Sequence, residues 1–361
     1  MIKMNKRLQK LRRRFAENEI DAVFITQSEN RRYLSGFNGT AGILLITEKK
    51  AVLATDFRYT EQAAGEAPDF EILHIAGNLA DWFPGQVRDA GIKRLGFEAG
   101  DVTFNFHRQL NDVLKKKKVA ARLVPVNGLV ESLRAVKEPG EIELIRKAAA
   151  VTDAAYERVE GIIKAGMTEK QVAWELEKGL RENGSQALPF EIIVASGSHA
   201  SLPHARPSER VINEGEPVLI DMGAKYEGYA GDLSRTICVG APDDTFKRVY
   251  KAVLDAQTAA MSIINAGMTG HQADSAARDV IQKAGYGEAF GHSLGHGVGL
   301  AAHELPRLGP GSEELLTEGM IFTVEPGIYL SGWGGVRIED TVAMENGRAV
   351  ALSRARKARY D

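Results

Sequence analysis

The chain of 361 residues repeats a piece of itself, and the repeat limits what it can fold into. When residues 162–184 are set against 263–285, an offset of 101, Ile162, Ile163, Ala165, Gly166, Met167, Thr168, Gln171 and Gly184 fall on Ile263, Ile264, Ala266, Gly267, Met268, Thr269, Gln272 and Gly285, eight identities in 23 positions. In each copy the pattern predicts a helix that stops at the glycine of "AGMT", with the threonine as N-cap of the next helix. Two similar helix-helix-sheet halves around a pseudo-twofold axis are implied. The crevice where such halves meet is a natural place for a site.

The chain is also longer than the roughly 150 residues usual for one domain, so two are expected. Up to about residue 128 helical patterns alternate with the short apolar runs "DAVFIT", "GILLIT", "KAVLAT", "FEILHI", "RLGFE" and "ARLVPV", which predicts an α/β domain with a central sheet. In "ESLRAVKEPGEIELIRKAA" the character changes: Pro139 suits a helix first turn and a long alanine-rich helix follows. The boundary is expected between residues 128 and 138, giving an α/β domain over 1–130 and the repeat-bearing domain over 131–361.

With 44% hydrophobic and 26% charged residues and a formal charge of -2, the composition is that of an ordinary globular protein, with no charge excess directed at nucleic acid or membrane. No run approaches the roughly 18 apolar residues of a membrane span. The basic opening "MIKMNKRLQKLRRRF" lacks the apolar core of a signal peptide, and Leu8, Leu11 and Phe15 fall on one helical face, so an amphipathic first helix is expected. "KKKK" at 115–118 reads as a helix end, where cations meet the negative end of the dipole. The single cysteine, Cys238, cannot form an internal disulfide and reads as a small buried hydrophobe, which suits a reducing, cytoplasmic setting.

Five residues carry the candidate chemistry. In "VLIDMGAKYEGYAGDLSRT" two apolar strands flank a glycine-rich turn, and if the turn centres between Tyr226 and Glu227, Asp221 and Asp232 fall opposite each other, roughly 4.5 to 5.5 Å apart at Cβ. Like charges so placed repel unless a cation lies between them. Downstream, "GHSLGHGVGLAAHELPRLGPG" gathers His292, His296 and His303 around a glycine-rich run that lacks the GxGxxG spacing. Its "HELPR" has Arg307 where a zinc helix needs a second histidine, and Pro306 would spoil that helix. "MIFTVEPGIYL" and "GGVRIEDTVAM" each interrupt an apolar strand with a glutamate, Glu325 and Glu339, which is costly unless the carboxylate is paired or metal-bound. Asp221, Asp232, His296, Glu325 and Glu339 together make four carboxylates and one imidazole. That set calls for about two divalent cations, Mn, Co or Zn by donor type.

The motifs "IDMGAKYEGYAGDLSRT", "GHGVGLAAHELP", "TVEPGIYL" and "VRIEDT", in this order, resemble the metallopeptidase family that holds Xaa-Pro dipeptidases (prolidases), aminopeptidase P and methionine aminopeptidase. "NRRYLSGFNGTAG" and "DFRYTEQA" resemble the N-terminal domain of the prolidase and aminopeptidase P branch, which argues against methionine aminopeptidase. The resemblance implies an α+β pita-bread (creatinase/aminopeptidase-like) catalytic domain with a pseudo-twofold internal repeat and two divalent metal ions, manganese with cobalt or zinc as alternatives, and a homodimer through the N-terminal domains. It implies Asp221 on one metal, Asp232 and Glu339 bridging both, and His296 and Glu325 on the other, with His204, His303 and Arg337 as outer groups. Gly231 and Ser234 replace a Ser and a Thr common around the second aspartate and are expected not to touch ligation.

The function implied is hydrolysis of an Xaa-Pro bond in a di- or oligopeptide. Glu325 would accept the proton of the attacking water, and His303 and His204 would donate to the developing oxyanion. A dipeptidase is the leading expectation, with Arg307 taking the substrate's terminal carboxylate. Aminopeptidase P, acting on longer peptides, is the alternative within the family. A metal-free binding protein or creatinase-like enzyme of the same fold is the alternative from another class.

Overall fold

The computed structural model describes residues 4–358 and 360. The chain divides after Arg134 into two compact units.

The first unit contains the six expected strands: β1 (Ala22–Ile25), β2 (Ile43–Thr47), β3 (Ala51–Thr55), β4 (Glu71–His74), β5 (Arg94–Glu98) and β6 (Arg122–Val126). They form one mixed sheet in the order β4-β3-β2-β1-β5-β6. β1 runs parallel to β5 and antiparallel to β2. Phe24, Phe83, Leu95 and Leu110 are among the side chains sealed between this sheet and its helices. The first helix, Met4–Arg13, buries Leu8 and Leu11, with Phe15 buried just beyond it; Met1 to Lys3 of the basic opening lie outside the described residues. The lysine run closes the helix Phe104–Lys116 as expected.

The second unit opens with the helix Pro139–Glu160, whose first residue is the proline and whose start is closed by a capping box between Glu138 and Glu141. Two sheets follow. One has three strands in the order β11-β8-β7, from β7 (Ile193–Ser196), β8 (Pro217–Met222) and β11 (Leu233–Cys238), with the two-residue pair β9 (Lys225–Tyr226) and β10 (Tyr229–Ala230) at its hairpin tip. The other has five in the order β13-β12-β14-β17-β18, from β12 (Gly295–Gly297), β13 (Glu304–Leu308), β14 (Ile321–Val324), β17 (Asp340–Glu345) and β18 (Arg348–Ala351). A separate ribbon pairs β15 (Gly327–Leu330) with β16 (Gly334–Arg337).

The internal repeat is a structural repeat. Thr168 caps the helix Glu169–Glu182 and Thr269 caps Gly270–Lys283, each in a capping box with the glutamine three residues on. Each threonine also bridges a distant strand-like residue, Val211 in one half and Leu315 in the other. One detail differs from the sequence reading. The preceding helices end at Glu160 and Ile263, several residues before Gly166 and Gly267, so those glycines turn the connecting loop and do not stop the helix.

The hairpin register also differs. Ser234, not Asp232, lies opposite Asp221, and Tyr226 pairs with Tyr229, so the turn centres between Glu227 and Gly228. Moving the centre by one residue moves the pairing by two, which keeps every side chain on its expected face because the strand period is two. Asp221 and Asp232 therefore share a face as diagonal neighbours.

Because the two caps are equivalent, Thr168→Ala and Thr269→Ala should each cost about 1 kcal/mol in urea unfolding followed by circular dichroism. A loss at one site alone would mean that the two halves are not held in the same way.

Candidate metal centre

Each acidic side chain reaches the centre from a strand end. Asp221 stands in β8 and Asp232 immediately before β11. Glu325 lies at the corner where the chain leaves β14 for β15, and Glu339 at the corner where it leaves β16 for β17. Sequence reading took each of these as a glutamate inside one continuous strand. The structure instead shows two strands switching sheets side by side, with Val324 paired to Asp340 and Gly327 to Arg337 on either side of the corners. His296 is the middle residue of β12, held close between neighbouring strands: a Cβ on Gly295 would meet the Thr323 carbonyl oxygen at 2.0 Å, and one on Gly297 that of Leu305 at 2.0 Å.

Asp232, His296 and Glu339 each offer a ligand atom within 4.8 Å of the other two. Glu325 joins through His296, its Oε1 lying 3.3 Å from Nε2, and Thr323 Oγ1 donates to the same oxygen at 2.9 Å. His296 Nδ1 lies 3.1 Å from the Gly297 carbonyl, which can only accept, so Nδ1 carries a proton and Nε2 faces the acids. Asp221 turns to Arg337, whose Nη2 donates to Oδ2 at 2.6 Å. Arg337 also donates to Tyr329 Oη, Pro203 O and Ser234 Oγ, so four of its five N–H groups are committed. Ser234 in turn donates to Glu339 Oε2 at 2.7 Å. Ser234 was expected not to touch ligation; it holds one of the candidate ligands.

The electrostatics follow from crowding. Burial, with Asp221 close by, holds the Asp232 carboxyl well above the usual carboxylate range. Burial, with Asp232 beside it, does the same to Glu339. Burial alone would also raise Glu325, but its hydrogen bond and charge pairing with His296 win and bring it down to about 2. Burial would lower His296, and the same contact with Glu325 raises it instead to about 9. Four carboxylates thus face one guanidinium and one imidazole. Oδ1 of Asp221 is buried with no hydrogen-bond partner among the described residues. An oxygen-rich donor set, two carboxyls whose ionised form is disfavoured by burial and by each other, and an orphaned carboxylate oxygen together fit divalent cations.

The cluster lines a cavity of ≈ 560 Å³, together with His204, His303, Arg307 and Arg337. The His303 ring lies 3.9 Å from that of His296, centroid to centroid. Arg307 stands opposite His296 in the β12–β13 ladder, which turns both side chains to one face. As expected, "HELPR" is no helix: it runs into β13. Phe190, Ile192, Ile193 and Pro203 give the cavity an apolar wall.

Comparison with known proteins places the chain in a family. Residues 143–346 match the model of metallopeptidase family M24, and residues 7–136 match the creatinase/prolidase N-terminal domain. The chain belongs to metallopeptidase family M24. It is 44% identical over 342 residues to an uncharacterized peptidase, YqhT, of Bacillus subtilis (strain 168), covering 94% of this chain and 96% of that one. A solved Xaa-Pro dipeptidase from Bacillus anthracis superposes with a TM-score of 0.96 at 42% identity, covering 99% of both chains. A solved X-Pro aminopeptidase from Thermotoga maritima MSB8 gives 0.87 at 38% identity, covering 96% of this chain and 99% of that one. The duplicated second unit is accordingly the pita-bread domain of an M24 metallopeptidase, and the family implies divalent metal ions.

Of two further residues of the centre, His292 was noted in the sequence among the clustered histidines but given no role, and Tyr329 was not picked out. His292 lines the cavity and Tyr329 joins it to Arg337: His292 Nδ1 donates to the Ser293 carbonyl, so Tyr329 Oη donates to His292 Nε2 at 2.9 Å while accepting from Arg337 at 2.8 Å. Burial lowers His292 and raises Tyr329 to about 12, which keeps both neutral in this chain of bonds. For Tyr329, the signal available was its place in "PGIYL", two strand positions after a corner.

The metal-free M24 centre should lose stability as pH rises. Asp232 and Glu339 have folded-state pKa values raised above their unfolded ones, so their contribution is complete below the unfolded carboxylate range and is lost as pH rises through the folded values. His296 has the same sign, lost as pH rises through about 9, whereas Glu325 has the opposite sign but titrates near 2. Thermal unfolding of the stripped protein should therefore show Mn²⁺ raising Tm more at about pH 8 than at about pH 5.5. Equal stabilisation at both would contradict the assignment of these groups to a cation site.

Proposed function

We propose that this M24 peptidase is a dinuclear Xaa-Pro dipeptidase. Asp221 would serve one cation, Asp232 and Glu339 both, and His296 and Glu325 the other. The observation that carries the reading is the convergence of these five side chains, four from strand ends and His296 from the middle of a fifth strand, on one cavity with an apolar wall. Manganese is the proposed metal, with cobalt or zinc as alternatives for an oxygen-rich set with one imidazole. The names of the Bacillus anthracis and Thermotoga maritima proteins support Xaa-Pro peptides as substrates.

Cations bound in the cluster would polarise the scissile carbonyl and lower the pKa of a water molecule. The rest falls to the protein. Glu325, fixed by Thr323, accepts the proton of the attacking water and passes it to the leaving imino nitrogen. His303 and His204, both exposed in the cavity wall, donate to the carbonyl oxygen as charge develops on it. Burial and the neighbouring His296 lower the His303 pKa, so in the free protein it is a neutral donor. Arg337 contributes by orienting Asp221, and with one N–H left uncommitted it can meet substrate through a single bond at most. The apolar wall at Phe190, Ile192 and Ile193 would receive the proline ring.

Arg307 is what favours a dipeptidase over aminopeptidase P. Its exposed side chain lies across the ladder from His296, placed to take the carboxylate that a dipeptide presents just beyond the scissile bond. The Thermotoga maritima neighbour is the reason to keep the second reading. The half-buried thiol of Cys238 fits a cytoplasmic setting, and a homodimer through the first unit is proposed from the family resemblance.

With Mn²⁺ present, Ala-Pro should be cleaved in preference to Ala-Pro-Ala. Arg307→Leu should weaken Ala-Pro cleavage by about 2 kcal/mol in kcat/KM and leave Ala-Pro-Ala much less affected. Equal losses on both substrates would move the reading to aminopeptidase P. No cleavage of either would remove the Xaa-Pro assignment altogether.

A further inference from the structure

Among the described residues, no hydrogen bond holds the His303 ring. Its one ring contact is with His296, so its place depends on the backbone turn that carries it. That turn, from Val298 to His303, folds over a buried ion pair. Lys137 Nζ lies 2.8 Å from Glu304 Oε1, and the two side chains are only 1% and 4% exposed. The other Glu304 oxygen accepts from Ala301 N at 3.4 Å. A Cβ on Gly299 would sit 2.2 Å from Glu304 Oε1, so the turn wraps directly onto the carboxylate. Gly299 carries the turn's outer bonds, donating to Ala301 O at 3.0 Å and accepting from Ala230 N at 2.8 Å.

The lysine is anchored from below. Its backbone N donates to Gly319 O at 2.9 Å, its Nζ donates also to Ala135 O at 3.2 Å, and Val136 bridges Met320. A sealed ion pair is a poor source of net stability, because removing both charges from water offsets their attraction, and apolar residues of like volume would pack as well. What apolar residues cannot do is accept a hydrogen bond from the turn. The position next to His303 is therefore one where a fixed acceptor has a use beyond packing.

We propose that Lys137 and Glu304 are positioning residues for His303: their ion pair fixes the turn 298–303 and thereby holds the imidazole where it donates to the substrate's carbonyl oxygen. The proposal rests on the oxyanion-donor role given to His303 above.

The test compares wild type, Lys137→Met/Glu304→Met, His303→Ala and the triple variant on Ala-Pro, with Mn²⁺ affinity measured by calorimetry. The double variant should keep Mn²⁺ affinity and KM within about twofold and lose about tenfold or more in kcat, as misplacement of a catalytic group does. The triple variant should be no slower than His303→Ala, because both changes remove one function. Unchanged kcat, a loss that multiplies with that of His303→Ala, or a loss confined to Mn²⁺ affinity would each overturn the proposal. Should His303→Ala retain full turnover, the donor role fails, and histidine ¹³Cε1 NMR on the metal-free protein decides the positioning role by itself. A shifted or broadened His303 signal in the double variant upholds it, and an unchanged one overturns it. If the methionine pair does not fold, Lys137→Met/Glu304→Leu, which likewise removes the acceptor for Ala301, replaces it with the same expectations, and the histidine NMR comparison is read on that variant.

Discussion

Four carboxyl groups in one crevice repel each other, and the catalytic unit is arranged around that repulsion. No single element could carry them, since adjacent acids on one strand would point to opposite faces and alternate ones would compete for the same side. Each of the four comes from a different strand end, and the imidazole comes from a fifth strand. Among the described residues two cationic groups pair with these acids, Arg337 with Asp221 and His296 with Glu325 and, at 3.8 Å, Asp232, and Asp232 and Glu339 are still held well above the ordinary carboxylate range. The residual repulsion is what cations would relieve, and the pH dependence of stability expected above follows from it.

Arg337 links the parts of this arrangement. It fixes Asp221 directly and reaches Glu339 through Ser234, while Tyr329 connects it to His292. An arginine with one free N–H works as a scaffold, and the planar fork that allows this is not available to lysine. Behind Glu339 the next residue, Asp340, is buried against Arg235 and Lys357, which anchors the corner from the far side.

Much of the architecture was legible because it rests on local chemistry. Thr168 and Thr269 announce capped helices, Pro139 a helix start, and six apolar runs the first sheet. The four acids of the candidate centre were legible because a carboxylate beside apolar strand residues is expensive without a partner, and His296 because it sits in a glycine-rich strand entry with two other histidines close by. What sequence could not show were relations between distant positions. The hairpin register was misplaced by two because a glycine-rich tip leaves its centre open, and the strand period preserved the face all the same. Glu325 and Glu339 were read as strand interiors because nothing local marks a change of sheet. Ser234 and Tyr329 were missed since a hydroxyl's partner, 105 residues away for Ser234, has no local signature.

The central claim is that Asp232 and Glu339 lie between two cations. Anomalous diffraction from crystals grown with Mn²⁺ tests it most directly. Two peaks should be found in the cavity, both within bonding distance of Asp232 and Glu339, with Asp221 on one and His296 with Glu325 on the other. A single peak, or peaks that leave Asp232 or Glu339 uncoordinated, would contradict it.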